Sequence, residues 1–362
     1  MLRRAPFAAL IVAAAALITP GCERRPQSAP DSAPAAPTAT SGAGAQQQSQ
    51  PVPHAAQPPP PSGTAADARP TTRDADPPDS PFNALDLRDY VLHPDVRDED
   101  GPRTSLRILC TGPNLTEICC ALGLRDQLVG RTRYCNHPPG IESLPSIGAL
   151  VDASAERVAA LRPDVVLVPG ESREIQQRLR PLGVRIESLG DTSLEDLYRS
   201  IERVGAISGR PRTAAALVEH LRSQHDRVTR HCAGGTPLRF LLVTGTLAEP
   251  PTPPFVAGPG SFYDGLLTAI GHRNILPADH RPFGSVSLEF VVRSDPDVII
   301  ELDPDGRSRP NGHADALRAW QRLGSLRAVR ERRVVVLTGP EHYLIGPRIM
   351  RTYAALCEAL RQ

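Results

Sequence analysis

Ser154-Ala155-Glu156-Arg157-Val158 and Ser287-Leu288-Glu289-Phe290-Val291 each place a glutamate two residues after a serine, in distant parts of the chain. A serine at such a place caps a helix, and Glu156 and Glu289 would then be second helical residues. A carboxylate there complements the helix dipole by about 0.3–1 kcal/mol. The dipole explains each glutamate alone but does not require the two to agree. The other reactive residue types are not arranged for catalysis. The 10 histidines are scattered, His54 among them in a proline-rich stretch, and no HExxH sets two on one helix face. There is no nucleophile elbow, and Gly258-Pro259-Gly260-Ser261 lacks the lysine of a phosphate loop, so it reads as a turn. Cys110, Cys119, Cys120, Cys135, Cys232 and Cys357 contain no CxxC, and Cys119 and Cys120 are adjacent. A zinc site is therefore not expected, disulfide connectivity stays open, and buried free thiols fit several of them. This inventory predicts a protein that binds rather than transforms its ligand, with no resident metal or cofactor.

The elements that would position these residues form a repeat. From Ser154 and from Ser287 the chain reaches Pro163-Asp164-Val165 and Pro296-Asp297-Val298 at equal offsets. Upstream, Leu106-Arg107-Ile108-Leu109 leads to Thr111-Gly112, as Leu238-Arg239-Phe240-Leu241 leads to Thr244-Gly245. Two related α/β lobes explain this most economically. In the first, residues 106–110, 165–168 and 184–189 read as strands. Asn114 with Glu117 reads as a helix cap and its box partner, and Gly123 as that helix's end. Strands alternating with helices predict mainly parallel sheets. Between the lobes, Pro211 suits a first helical position, and Ala214, Leu217, Leu221 and Val228 share one face. A helix of about 20 residues there spans roughly 30 Å and would act as a stiff strut.

The N-terminus has the grammar of export. Arg3 and Arg4 precede an apolar run from Phe7 to Ile18, too short to remain as a membrane span, and Gly21-Cys22 follows. Cys22 is the expected lipidation site, although Thr19 stands where a leucine is usual. Many of the 39 prolines lie in the first hundred residues, a region too poor in large apolar side chains to offset its ordering entropy. The expected organisation is a lipoprotein signal over 1–22, a disordered tether over 23–90, a first lobe over 105–192, a linking helical segment over 193–234, and a second lobe over 235–362. The formal charge of +1 gives no global field for nucleic acid, and no nucleic-acid partner is expected.

Further motifs carry a family resemblance over roughly residues 105–362. They include Thr116-Glu117, Ala121-Leu122-Gly123, Leu128-Val129-Gly130, Tyr134, Pro138-Pro139, Leu161-Arg162-Pro163-Asp164, Pro253-Pro254-Phe255, Asn274-Ile275 and Pro347-Arg348-Ile349. In order and spacing the chain resembles the vitamin B12-binding periplasmic proteins of ABC importers, within a wider group that binds cobalamin, haem and ferric siderophores. The resemblance implies two Rossmann-like lobes joined by one long rigid helix, the class III periplasmic binding protein type, with ligand in the cleft between them. It implies an ABC permease dimer and its ATPase as partners. In such proteins glutamates equivalent to Glu156 and Glu289 dock with permease arginines. It also implies a location on the periplasmic or cell-surface side of the membrane, held there by the lipid anchor. The implied ligand is a corrinoid or another metal chelate, met by Tyr134, Pro169, Phe255 and Phe283.

There are departures from that pattern. Leu150 and Pro169 replace tryptophans of the B12 proteins, Phe283 replaces another, and the run before Pro347-Arg348 reads Pro340-Glu341-His342-Tyr343-Leu344-Ile345-Gly346. His342, Tyr343 or Tyr134 could instead ligate haem iron, and Arg131 and Arg133 could meet an anionic chelate. A haem or ferric-siderophore binding protein of the same fold is thus the first alternative. A chelatase-like enzyme acting on tetrapyrroles is the alternative from another class. It would consume metal and tetrapyrrole where a binding protein returns its ligand unchanged.

Overall fold

The computed structural model describes residues 98, 106–149, 154–170, 173–247, 252–304 and 306–361. The expected signal, Cys22 and the tether lie outside the described residues, as does Leu150. No helix among the described residues is long and apolar enough to cross a membrane.

The first sheet begins with β1 (Ile108–Cys110), fully buried. After the Thr111-Gly112 turn comes α1 (Pro113–Ala121), which Gly112 precedes as cap without any side-chain hydrogen bond. Here the sequence reading needs correction, because Asn114 is not the cap but lies inside the helix. Proline, with fixed φ and no N–H to lose, is preorganised for the first helical position and starts the helix two residues before an Asn114 cap would. Glu117 is thereby released from capping. Gly123 follows the helix with φ 71°, as its position predicts. Then come β2 (Leu128–Gly130), α2 (Ala155–Leu161), β3 (Val165–Pro169), α3 (Arg173–Leu179) and β4 (Arg185–Leu189). The order is β2-β1-β3-β4, and every pair is parallel.

Two helices follow. α4 (Leu194–Ser208) opens on a capping box between Ser193 and Asp196 and ends at Gly209. α5 (Pro211–Cys232) has 22 residues with Pro211 in its first turn, about 33 Å at 1.5 Å per residue. Ala214, Leu217, Leu221 and Val228 are at most 1% exposed, so the stripe read from the sequence is the face that packs.

The second sheet contains β5 (Arg239–Val243) and β6 (Phe255–Ala257), then, beyond α6 (Phe262–Ala269), β7 (Arg273–Asn274) and β8 (Phe283–Ser285). The chain continues through α7 (Leu288–Ser294), β9 (Val298–Asp303), α8 (His313–Trp320), α9 (Arg327–Arg330), β10 (Val334–Thr338) and α10 (Ile349–Arg361). The order is β10-β9-β5-β6-β8, with β7 also on β5. β6 runs antiparallel to both β5 and β8, so this sheet is mixed where parallel strands were expected. The link from β5 to β6, residues 244–254, is shorter than the crossover of about a dozen residues or more that a parallel return needs.

The repeat persists down to single atoms. The amides of Arg107 and Arg239 donate to Asp164 Oδ2 and Asp297 Oδ2, each at 2.8 Å. The same arginines reach the carbonyls at the ends of α2 and α7, Arg107 to Leu161 and Arg162, Arg239 to Ser294 and Asp295. Both helices end on a left-handed non-glycine residue, Arg162 at φ 44° and Asp295 at φ 41°. One apolar cluster runs from the first sheet through α4 and α5 to α6 and α10. A disulfide joins Cys232, at the end of α5, to Cys357 in α10, while Cys110, Cys119, Cys120 and Cys135 are free thiols.

Candidate functional site

In α/β folds of this kind ligands sit beyond the carboxyl ends of the strands. Here those ends are Thr111-Gly112 after β1, Pro169-Gly170 in and after β3, and Asp303 and Thr338-Gly339 at β9 and β10. A side chain on Gly112 would begin 3.0 Å from Pro169 Cγ and 2.7 Å from Asn114 Oδ1, so the two strand ends meet closely only because residue 112 has none. Half-buried Asp191 lies beside them, its Oδ1 3.1 Å from where a side chain on Gly170 would start. Burial, reinforced by the neighbouring Asp196 carboxylate, pushes the Asp191 carboxyl up to about 6.

The expected ligand-facing residues fall into two groups. Tyr134, Pro169, Phe255 and Phe283 are all half-buried and keep part of their surface accessible. Tyr134 belongs to the first lobe, with the Arg133 guanidinium 6.0 Å from its ring centre. Phe255 opens β6. Phe283, on β8, packs at 6.2 and 6.4 Å from the rings of Phe262 and Tyr263. His342 and Tyr343 are instead buried. Tyr343 donates its hydroxyl to Leu302 O at 2.5 Å, and His342 Nδ1 lies 3.1 Å from Thr352 Oγ1. The His342 carbonyl accepts from the Tyr263 hydroxyl. Burial, with Arg348 adding to it and Glu341 opposing, holds the His342 imidazole below its ordinary range, so at neutral pH it is uncharged. This pair fastens the 340–348 loop to β9, α6 and α10.

Glu156 and Glu289 are exposed second residues of α2 and α7. Ser154 Oγ accepts from Arg157 N, and Ser287 Oγ from Phe290 N, so both caps form as read from the sequence.

Other contributors were not apparent from the sequence. Glu117 on α1 accepts two bonds from Arg348, just before α10, at 2.6 and 3.0 Å, across a separation of 231 residues. Thr192 O accepts from Phe262 N at 2.8 Å, a second link between the parts of the chain before and after α5. Among the described residues no group of three or more His, Cys, Asp or Glu side chains is placed to hold a metal ion.

With this geometry in view, a model of the periplasmic binding protein family matches residues 108–340. The chain belongs to that family. It is 26% identical over 259 residues to a vitamin B12-binding protein of Salmonella choleraesuis (strain SC-B67), covering 71% of this chain and 90% of the relative. Among solved structures it is similar to the periplasmic vitamin B12 binding protein BtuF of Vibrio cholerae, at 25% identity and TM-score 0.59, over 70% of this chain and 96% of that one. It is also similar to a periplasmic heme binding protein from Pseudomonas aeruginosa, at 29% identity and TM-score 0.58, over 70% and 91% of the two chains. The fold is therefore of the class III type, with two α/β lobes on one long helix. These relatives are binding proteins, not enzymes.

Proposed function

We propose that this periplasmic binding protein is the substrate-binding component of an ABC importer. It holds cobalamin or a related corrinoid between its lobes and delivers it to a permease dimer driven by its ATPase. The observation that carries this reading is the paired arrangement of the two lobes. Each presents an exposed glutamate at the same step of the same repeat, and half-buried aromatic or flat side chains (Tyr134, Pro169, Phe255 and Phe283) lie at or near strand termini. Aromatic faces suit a corrin plane through burial and dispersion. Charged pairs at Glu156 and Glu289 would register the encounter with the permease more than supply affinity. Changing both glutamates to lysine is expected to abolish uptake while the affinity for ligand stays at the wild-type value. A loss of affinity in that variant would remove the docking role.

A second reading, haem or a ferric siderophore as ligand, is supported by the heme binding protein at 29% identity. Calorimetric titration with cyanocobalamin, cobinamide, haem and ferric siderophores decides between them. Calorimetry is the right readout because Trp320 is fully buried, with its N–H donated to Glu301 at 2.9 Å, and does not face the ligand. Tightest binding of a corrinoid is the expected result, and no binding of any of the four would overturn the reading. Attachment through lipidated Cys22 belongs to the same proposal. The Cys22→Ser protein should leave the membrane fraction and appear as released protein.

A further inference from the structure

We infer that Glu117 and Arg348 are positioning residues for the ligand: as a buried ion pair joining the two lobes, they set the width of the cleft. The inference rests on the binding-protein reading for its ligand consequence, but not for its geometry. Both side chains are nearly withdrawn from water, at 5% and 11% exposure, and the bidentate contact fixes direction as well as distance. Each partner is held by its own lobe. Glu117 lies in the middle of α1, directly after the turn that ends β1. Arg348 leaves a loop bound to β9 by Tyr343, to α6 by Tyr263 and to α10 by His342. The two backbones come close at this point. A methyl group on Gly346 would lie 3.4 Å from Glu117 Oε2 and 3.7 Å from Asn114 Cα.

Net stability is a poor explanation for this pair, because two charges that lose their water regain little by meeting. What a bidentate pair between rigid elements does supply is registry. The Thr192–Phe262 bond gives a second fixed point, so the lobes are braced at two places besides the strut. A rigid guest then meets walls already at their working separation and pays no closure cost. The pair also occupies Arg348, leaving the guest to be recognised by other groups.

The test uses the full-length protein with spin labels on exposed positions of α3 and of the loop before α9. These are Gln177→Cys and Ser325→Cys in a Cys22→Ser, Cys120→Ser background. Pulsed dipolar distance measurement is paired with titration of cyanocobalamin and haem. Arg348→Met and Glu117→Gln should each broaden the inter-lobe distance distribution and weaken the bound probe by about tenfold or more, since small misplacements of a site are costly. The reversed pair, Glu117→Arg with Arg348→Glu, should restore a narrow distribution and most of the affinity, which a role confined to stability would not require. Buried Trp320 emission reports that each variant is folded. An unchanged distance distribution in both single variants overturns the brace, and a broadened distribution with unchanged affinity overturns the positioning role. If neither probe binds the wild type, the ligand reading fails, and the distances alone still decide whether the pair holds the lobes.

Discussion

Single residues here separate into half-buried ones near the strand ends, proposed to meet the ligand, and buried ones that hold the walls. The clearest holding group is Glu301, fully buried in β9. It accepts from Arg309 at 2.8 and 3.2 Å, from Trp320 at 2.9 Å and from the Leu247 amide at 2.7 Å. Arg309 in turn donates to Leu247 O, tying the segment after β5 to the segment after β9. Removing one member strands the other charge, which costs about 3–5 kcal/mol. Arg309→Met should lower the unfolding free energy by that amount in urea melts followed by Trp320 emission. A change within 1 kcal/mol would show that the network relaxes without it. Asp191 yields a pH prediction of definite sign. Its carboxyl, raised to about 6, keeps in the folded state a proton that the unfolded chain gives up near pH 4. Its contribution to stability is therefore greatest below about pH 4 and falls as pH rises through 6. Asp191→Asn should abolish that decline, so its advantage over wild type should grow between pH 4 and pH 8 in thermal melts. An advantage that does not vary with pH would refute the assignment.

At the scale of elements, α5 depends on chemistry distant in the chain. Its N-terminus has no cap of its own, and Asp98 supplies one, accepting from Arg212 N at 2.8 Å, Thr213 N at 3.2 Å and Thr213 Oγ1 at 2.6 Å. Partial burial works against ionisation of Asp98, but the Thr213 hydroxyl and the two amides more than offset it and hold the carboxyl below its ordinary range. Asp98→Ala should cost about 1 kcal/mol at neutral pH, with the difference vanishing in acid once the wild-type carboxylate is protonated. An equal cost at pH 7 and in acid would mean that the carboxylate's charge contributes nothing to the cap. The other end of α5 is tied by the Cys232–Cys357 disulfide across 125 residues. A cross-link closing so long a loop restricts the unfolded chain strongly. Replacing both cysteines with serine should remove about 2–5 kcal/mol, read as a lower denaturation midpoint.

At the scale of the whole molecule, the strut, the Glu117–Arg348 pair and the Thr192–Phe262 bond connect the lobes at separate points. Three connections leave little freedom for hinge motion, since no single backbone segment can absorb a rotation alone. Small-angle scattering should therefore give the same radius of gyration, within about 1 Å, before and after ligand saturation. A contraction of several ångströms would identify a hinged binder instead.

Much of this was legible from the sequence, and the misreadings have physical causes. Ser154 and Ser287 cap as read because a cap depends on a few adjacent residues. The buried face of α5 was read from apolar spacing, which the helix turns directly into geometry. Asn114 and Glu117 were misread because one local pattern serves two purposes. Proline at position 113 claimed the helix start, and a partner 231 residues away claimed the carboxylate. The antiparallel β6 was missed because the repeat ahead of it suggested a second copy of the first lobe, while the link to Phe255 is too short for a parallel return.

The sequence by itself determined the repeat, the strut and the two matched glutamates, because each is encoded in residues near one another along the chain. Only the tertiary structure decided what Arg348, Asp98 and Cys232 are for, since each has a partner more than a hundred positions away. It also decided that His342 and Tyr343 serve as fastenings inside the second lobe, because burial depends on what the rest of the chain packs against them.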